Sequence, residues 1–459
     1  MHLPRFRAAR GTVSLLALCL AAGCHRLPPD GTALVGATLI DGSGGPALHD
    51  AVVVVRHGTI ESVGVRTGFH LPRRTTEVDA TGRWIIPGLI DAHAHVARWA
   101  LSRYLAWGVT SVRDVHGTLD TILRIREEAN RGEVAGPRIY TAGAMIDGVP
   151  STYADALPAP DGQAARKSVD RLVNARVDLI KVYTRVGPEL LRSVLDEAST
   201  FSVPVTGHLG LTDAVTAADL GIASIEHMSG VPEAASADPS ALYAAHREGF
   251  FAGWTVFERA WPSLDSAALG RVARTLAEKK VAVIPTLVLH DTFSRLDDPA
   301  MLQDTMLRFV PEEEQRRWNV SDMVARAGWK PADFEAFRRA RLNQDLFLRL
   351  FAAAGGLIAA GTDAANQLLI PGYSEHREMQ LLVAAGLTPR DALLAATRSV
   401  ALLLGVDSLG LIAPGNAADL VILTRDPMSR IQNTLDIEQV MVRGRLLSAD
   451  SLRASWQAP

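Results

Sequence analysis

Two histidines two places apart, His93 and His95, close the run Pro87-Gly88-Leu89-Ile90-Asp91-Ala92-His93-Ala94-His95. On an extended strand side chains alternate with period two, so both imidazoles point the same way and can reach one ion. Such a pair alone is more often surface or hydrogen-bonded core than a ligand set, and the rest of the chain reverses that reading. Thr206-Gly207-His208, Ser224-Ile225-Glu226-His227 and Ala360-Gly361-Thr362-Asp363 each place an imidazole or a carboxylate directly after a short apolar run. These are donors for a divalent ion; zinc suits them best, with manganese, iron and cobalt as alternatives. Lys181 adds an amine to Leu179-Ile180-Lys181-Val182, a run that otherwise reads as a buried strand. An unpaired buried ammonium is costly and its pKa falls readily. Three roles compete: ion-pair partner, Schiff-base nucleophile, or a lysine carbamylated by carbon dioxide. A carbamate is an anion whose two oxygens can bridge two ions, which suits histidines on both sides; a bare ammonium there would repel cations.

Convergence of these side chains requires a scaffold that gathers separate strand ends. From about Pro87 to Gly405, short apolar runs alternate with longer amphipathic stretches, the pattern of repeated strand–helix units on a parallel sheet. Candidate strands are Ile86 to Ile90, Val109 to Arg113, Arg138 to Thr141, Val177 to Val182, Val203 to Thr206, Ile222 to Glu226, Val281 to Pro285 and Leu357 to Ala360. Eight strands suit a closed barrel, and barrel enzymes place their active sites at the carboxyl ends of the strands. The expected fold is therefore α/β: a TIM-type (β/α)8 barrel over residues 87–405, with a charged, helical insertion at about 291–349 able to cover the mouth. Short β-branched runs broken by turn signals flank it, so both chain ends, residues 32–86 and 406–450, are expected to pair into one small β-sandwich.

The set His93, His95, Lys181, His208, His227 and Asp363, in this order, resembles the amidohydrolase superfamily over about Ala33 to Leu447, including the stretch Leu409-Gly410-Leu411-Ile412-Ala413-Pro414-Gly415-Asn416-Ala417-Ala418-Asp419-Leu420-Val421. Within it the chain is most similar to the imidazolonepropionase-like group that also contains prolidase-type dipeptidases. The resemblance implies that His93, His95 and Asp363 hold one metal, His208 and His227 a second, and carbamylated Lys181 joins them. Two cations sharing a water lower its pKa far below that of bulk water. Asp363 can then take the proton and pass it to the leaving nitrogen. The implied activity is metal-dependent hydrolysis of an amide or other C–N bond in a small substrate such as an N-acyl amino acid, a cyclic amide or a dipeptide. Other readings of the same residues are a mononuclear deaminase or imidazolonepropionase-type hydrolase, a lactonase, or a non-catalytic binding protein.

Two positions depart from the dipeptidase-like pattern: Leu209 stands where a tyrosine commonly follows the fifth-strand histidine, and Ala142 to Asp147 replaces a Gly- and His-rich turn. A strict Xaa-Pro dipeptidase does not follow. Tyr183, Arg185 and His290 are candidate contacts to a substrate carbonyl or carboxylate, with His116 a weaker one. His49, His57, His70, His246 and His376 lack partners at metal spacing and read as surface or structural, and the eight tryptophans are assigned to packing.

With 48% apolar and 21% charged residues among 459, the chain is neither broadly disordered nor a multispan membrane protein. A formal charge of -3 and the lack of a long basic block exclude nucleic acid as an expected partner. Arg5, Arg7 and Arg10 precede an apolar run from about Val13 to Ala22, then small residues and Cys24, a signal-peptide layout over residues 1–23. The run is short of the roughly 20 residues a span needs. An exported protein is expected, periplasmic or anchored as a bacterial lipoprotein through a lipid on Cys24. Cys19 and Cys24 both fall in this segment, which leaves no intramolecular disulfide. No sequence feature sets an oligomeric state.

Overall fold

The computed structural model describes residues 30–456; the expected signal segment and Cys24 lie outside the described residues. Two parallel sheets carry the centre of the chain. One is three-stranded, Leu89–Ala94, Val109–Asp114 and Arg138–Thr141. The other contains Ile180–Val182, Val205–Gly207, Ser224–Glu226 and Ala282–Ile284 side by side, extended at one edge by the short pieces Ile146–Asp147 and Leu157–Pro158. All the longer strands are buried along their length apart from the half-buried Arg138 and Tyr140 of Arg138–Thr141, as parallel strands covered by crossover helices must be.

The covering helices follow from local sequence. In Gly162–Asn174 the buried residues Ala165, Val169 and Leu172 form one stripe, and Asp161 caps the start by accepting the Ala164 N–H at 2.8 Å. Ser266–Glu278 repeats the design, with Leu269, Val272, Ala273 and Leu276 buried and Asp265 accepting from Ala268 at 2.9 Å.

Hydrogen bonds link the two sheets: Asp178 N–H donates to Thr141 O at 2.9 Å. On the far side, the expected eighth strand Leu357 to Ala360 makes an isolated parallel bridge, Ile358 to Val283, and Ala92 N–H donates to Ala360 O at 2.9 Å. It pairs on both flanks, and the chain beyond it stays beside the strand bearing His93, with a second isolated bridge between Ala94 and Ala364. The region expected to be a helical insertion is helical, with Glu312–Trp318, Val320–Ala327 and Pro331–Ala353. Its apolar faces pack with Trp254, Leu289 and Phe293 in a small core of their own.

Strands from the early and late described parts of the chain meet. Leu420–Leu423 pairs antiparallel with Trp84–Pro87, and the described strands of the two ends are hydrogen-bonded into one eight-stranded sheet. Gly31–Leu39 pairs with Thr75–Asp79 through its first half and with Trp84–Pro87 through its last residues. Between them the register against Leu48–Arg56 shifts at Gly36, whose φ of 91° L side chains rarely adopt, so glycine is favoured at this bulge. Leu34, Val53, Ile60, Ile85, Leu420 and Ile422 form the core of this sheet.

One helix behind the central strands carries an electrostatic load. Glu375 and Glu378, on Tyr373–Ala384, are fully buried. Glu378 Oε2 accepts the Val288 N–H at 2.7 Å, whereas its Oε1 and both Glu375 oxygens have no hydrogen-bond partner among the described residues. Burial pushes Glu378 up to about 8 and Glu375 well above the carboxylate range. For Glu378 the folded chain therefore holds a proton that the unfolded chain has released above its ordinary value of 4.5. Its contribution is whole below that value and is lost as pH rises toward about 8, at about 1.4 kcal/mol per pH unit. Glu378→Gln, which keeps the acceptor, is expected to flatten that slope. Urea midpoints of both proteins at about pH 5 and about pH 8 check it, and parallel slopes would remove Glu378 as the cause.

Candidate active site and metal centre

The expected ligands come from five separate strand ends. His93 lies within Leu89–Ala94 and His95 just beyond it; His208 follows Val205–Gly207, His227 follows Ser224–Glu226, and Asp363 follows the bridged segment at Ile358. His93 Nε2 lies 3.0 Å and His95 Nε2 2.8 Å from the same oxygen, Asp363 Oδ1. The His227 ring centre is 4.5 Å from that of His93 and 4.6 Å from that of His208. One donor atom from each of His93, His227 and Asp363 falls within 4.8 Å of the others. Lys181, only 2% exposed at the middle of Ile180–Val182, lines the same cavity, whose volume is about 650 Å³. All six residues are thus brought together. His227 (φ 58°) and Asp363 (φ 63°) both take the left-handed conformation just past their strands, a conformation uncommon for residues other than glycine.

The far side of three rings is tied down. His93 Nδ1–H donates to Glu226 Oε2 at 2.6 Å and His95 Nδ1–H to the His116 carbonyl at 3.1 Å; His227 Nδ1 is bonded to Thr286 Oγ1 at 2.7 Å. A fixed Nδ1 sets the ring orientation and turns Nε2 toward the cluster, the arrangement that supports metal-ligating histidines. Glu226 is itself buried and held by Arg113 at 3.0 Å and by the Thr206 hydroxyl. Sequence reasoning singled out neither Glu226 nor Arg113. Their signal was the one that exposed Lys181: a charge on a strand whose other residues are apolar or small.

Electrostatics favour cation binding. Burial alone would raise the Asp363 carboxyl, but hydrogen bonds from His93 and His95 hold it well below its usual range. Burial opposes charge on His95 most strongly, but the hydrogen bond and charge of Asp363, with Asp114 and the His116 carbonyl, together raise that imidazole. His208 and His227 are pushed well below the ordinary imidazole value, first by burial and then by neighbouring cations, so both keep a free lone pair at neutral pH. Burial likewise brings Lys181 down to about 8. Glu226, despite burial, stays ionised because Arg113 and Lys181 face it.

The candidate substrate contacts divide. Tyr183 lines the cavity with its ring centre 4.8 Å from that of His208. Arg185 also lines the cavity; two of its guanidinium nitrogens donate to the carbonyls of Pro150, Arg247 and Glu248, and its buried Nε has no hydrogen-bond partner among the described residues. His290 sits behind the wall: the helix Leu287–Phe293 begins so soon after its strand that residue 290 faces inward, where Glu258 binds Nδ1 and Trp254 stacks on the ring at 5.1 Å. His116 lines the cavity and lies 3.2 Å from Asp155. His246 and His376 are buried and structural, bonded to Glu233 at 2.7 Å and to Thr434 at 2.8 Å.

A cluster of imidazoles and a carboxylate at the ends of parallel strands is a donor set suited to divalent ions. The chain belongs to the amidohydrolase family, whose sequence profile matches residues 84–447. An imidazolonepropionase of Mycolicibacterium smegmatis is 38% identical over 101 residues, 18% of this chain and 25% of that protein. One from Idiomarina loihiensis is 27% identical over 202 residues, 39% of this chain and 48% of that protein. The chain therefore spans between a quarter and about half of the length of these curated relatives. Among solved structures, a bottromycin amidohydrolase superposes with a TM-score of 0.70 at 23% identity, covering 94% of this chain and 91% of that one. That likeness shows the fold, which is TIM-barrel-like α/β.

Proposed function

We propose that the protein hydrolyses an amide or other C–N bond of a small substrate, with His93, His95 and Asp363 holding one divalent ion, His208 and His227 a second, and Lys181, as its carbamate, between them. The observation that carries this is the meeting of two Nε2 atoms on one Asp363 oxygen while the opposite ring nitrogens are engaged elsewhere. Donors so arranged fit zinc, which is bound by imidazole nitrogen and carboxylate oxygen. When bound, the ions would polarise the substrate carbonyl and lower the pKa of water. The chain's own residues do the rest. Asp363 accepts a proton from water as the water oxygen bonds to the carbonyl carbon, then delivers it to the nitrogen as the C–N bond breaks, leaving an acid and an amine. Lys181, held down to about 8, has an uncharged fraction at neutral pH whose nitrogen can add to carbon dioxide with loss of one proton.

The same reading closes the parallel strands into a (β/α)8 barrel over residues 87–405, supported by the Val283–Ile358 bridge and the Ala92–Ala360 hydrogen bond. It sets a β-sandwich from residues 32–86 and 406–450 beside the barrel, and keeps export with a lipid on Cys24. A mononuclear hydrolase is the second reading. It is favoured by the compactness of His93, His227 and Asp363, which suffice for a single ion.

Dialysis against a chelator is expected to abolish hydrolysis across a panel of N-acyl amino acids, dipeptides, hydantoins and lactones, and zinc with bicarbonate to restore it. Elemental analysis of the restored enzyme decides between the readings: two equivalents support the paired site and one the mononuclear site. Turnover that persists in metal-free protein rejects both.

A further inference from the structure

The cavity has two unlike halves. Its floor is the imidazole cluster with Lys181 and Asp363. Beside the polar Ser151, Thr152, Asn366 and Gln367, one stretch of its wall is apolar, built from Phe250, Trp254, Leu289, Phe293 and Met323. These come from three helices, Phe250–Ala260, Leu287–Phe293 and Val320–Ala327. The wall is continuous with the floor: the Phe250 ring centre lies 6.4 Å from that of His208 and 6.0 Å from Trp254, which is 5.3 Å from Phe293. An apolar wall that begins at a candidate ligand faces whatever substituent the scissile bond carries.

Charge on the wall is equally informative. Apart from Lys181 and Asp363, the charged Asp, Glu, Lys and Arg side chains lining the cavity are Arg185, Glu248 and Arg326. Arg185 is bonded to three main-chain carbonyls. Arg326 is 65% exposed and lies 2.7 Å from Asp322 on its own helix. Glu248 is exposed. Two of the Arg185 guanidinium nitrogens are thus tied to main chain, leaving its Nε as the one buried, unengaged donor among these three side chains, and burying an unpaired carboxylate or ammonium against the apolar stretch would be costly.

We propose that the outer half of the cavity is a subsite for a bulky uncharged group, aryl or medium-chain alkyl, so that the substrate class is a neutral amide bearing such a group and not a zwitterionic dipeptide. This rests on the hydrolase reading above for the bond that is cut, and on the wall alone for the group that is held. A volume of about 650 Å³ accommodates a ligand well beyond dipeptide size. An aromatic ring buried there replaces water contacts with apolar ones on several sides.

The test compares matched amides on the metal-loaded enzyme, phenylacetyl- against acetyl-glycinamide and N-benzyl- against N-methyl-acetamide, with the dipeptide glycyl-leucine alongside. In a separate arm, phenylacetamide and acetamide are titrated into chelator-treated protein and followed by tryptophan fluorescence. At least one benzyl-bearing amide is expected to exceed its small counterpart in kcat/KM by about 30-fold or more, with glycyl-leucine below both. Phenylacetamide should bind the metal-free protein at least about 10-fold more tightly than acetamide. Met323→Asp should bring both ratios toward one. Should that variant not fold, Phe250→Ala, whose ring is half-buried, is expected to lower them in the same direction. Equal ratios in the wild type, or preference for glycyl-leucine, overturn the subsite. Phenylacetamide binding with no turnover of any amide would sustain the subsite and overturn the hydrolase reading instead.

Discussion

Asp363→Asn is expected to give a folded protein whose kcat/KM is lower by on the order of 10³-fold or more. Asparagine has nearly the same shape, and the main-chain bonds that place residue 363, including its N–H to His93 O at 2.7 Å, do not involve the side chain. What disappears is the negative charge. In the wild type that charge draws two imidazoles onto one oxygen and stays ionised far below neutral pH because they hydrogen-bond to it. A carboxamide neither accepts the proton of an attacking water nor balances a divalent cation, so proton transfer and metal affinity fall together. Steady-state kinetics with elemental analysis and circular dichroism separate the outcomes: a native spectrum with lost zinc and lost turnover is expected. Undiminished kcat/KM would remove Asp363 from the chemistry.

Lys181→Ala is expected to cost at least about 10²-fold in turnover and one equivalent of metal. Burial, the factor that lowers this amine to about 8, also makes it hard to replace, because water entering the space left by alanine brings no bridging anion. Two further readouts distinguish a bridging carbamate from an ordinary structural cation. Reconstitution of the wild type should depend on bicarbonate and that of the variant should not. A short carboxylic acid such as propionate, sized for the space vacated, should restore part of the variant's rate. Full activity with a single metal would transfer the case to the mononuclear reading.

The five histidine and aspartate positions were legible because a strand is a local object: an apolar run of a few residues followed by an imidazole or carboxylate can be recognised without knowing its neighbours, and Lys181 was legible as a charge within such a run. Glu226 and Arg113 escaped for the opposite reason. Glu226 matters through His93, which is 133 positions away, and that pairing exists only once the strands are arranged in space. Arg185 and His290 were singled out for standing just after strand ends, but nearness along the chain does not say which way the next turn faces; one is engaged by loop carbonyls and the other turned toward Glu258. Trp254 was assigned to packing. It does pack, against Phe293 and His290, and it also faces the cavity, since a wall of an active-site pocket is the exposed edge of a core. The segment expected as the eighth strand, Leu357 to Ala360, carries one isolated bridge, Ile358 to Val283, together with backbone hydrogen bonds on its other flank.

The joining of the two chain ends has a consequence for the order of assembly. Trp84–Pro87 is separated by one residue from the strand bearing His93, and it is flanked by Gly31–Leu39 on one side and Leu420–Leu423 on the other. Contacts between positions so distant in sequence form late and slowly, since the intervening loop must close first. A nascent chain halted before Leu420 would already contain every proposed ligand while lacking the neighbour against which the first histidine strand is anchored.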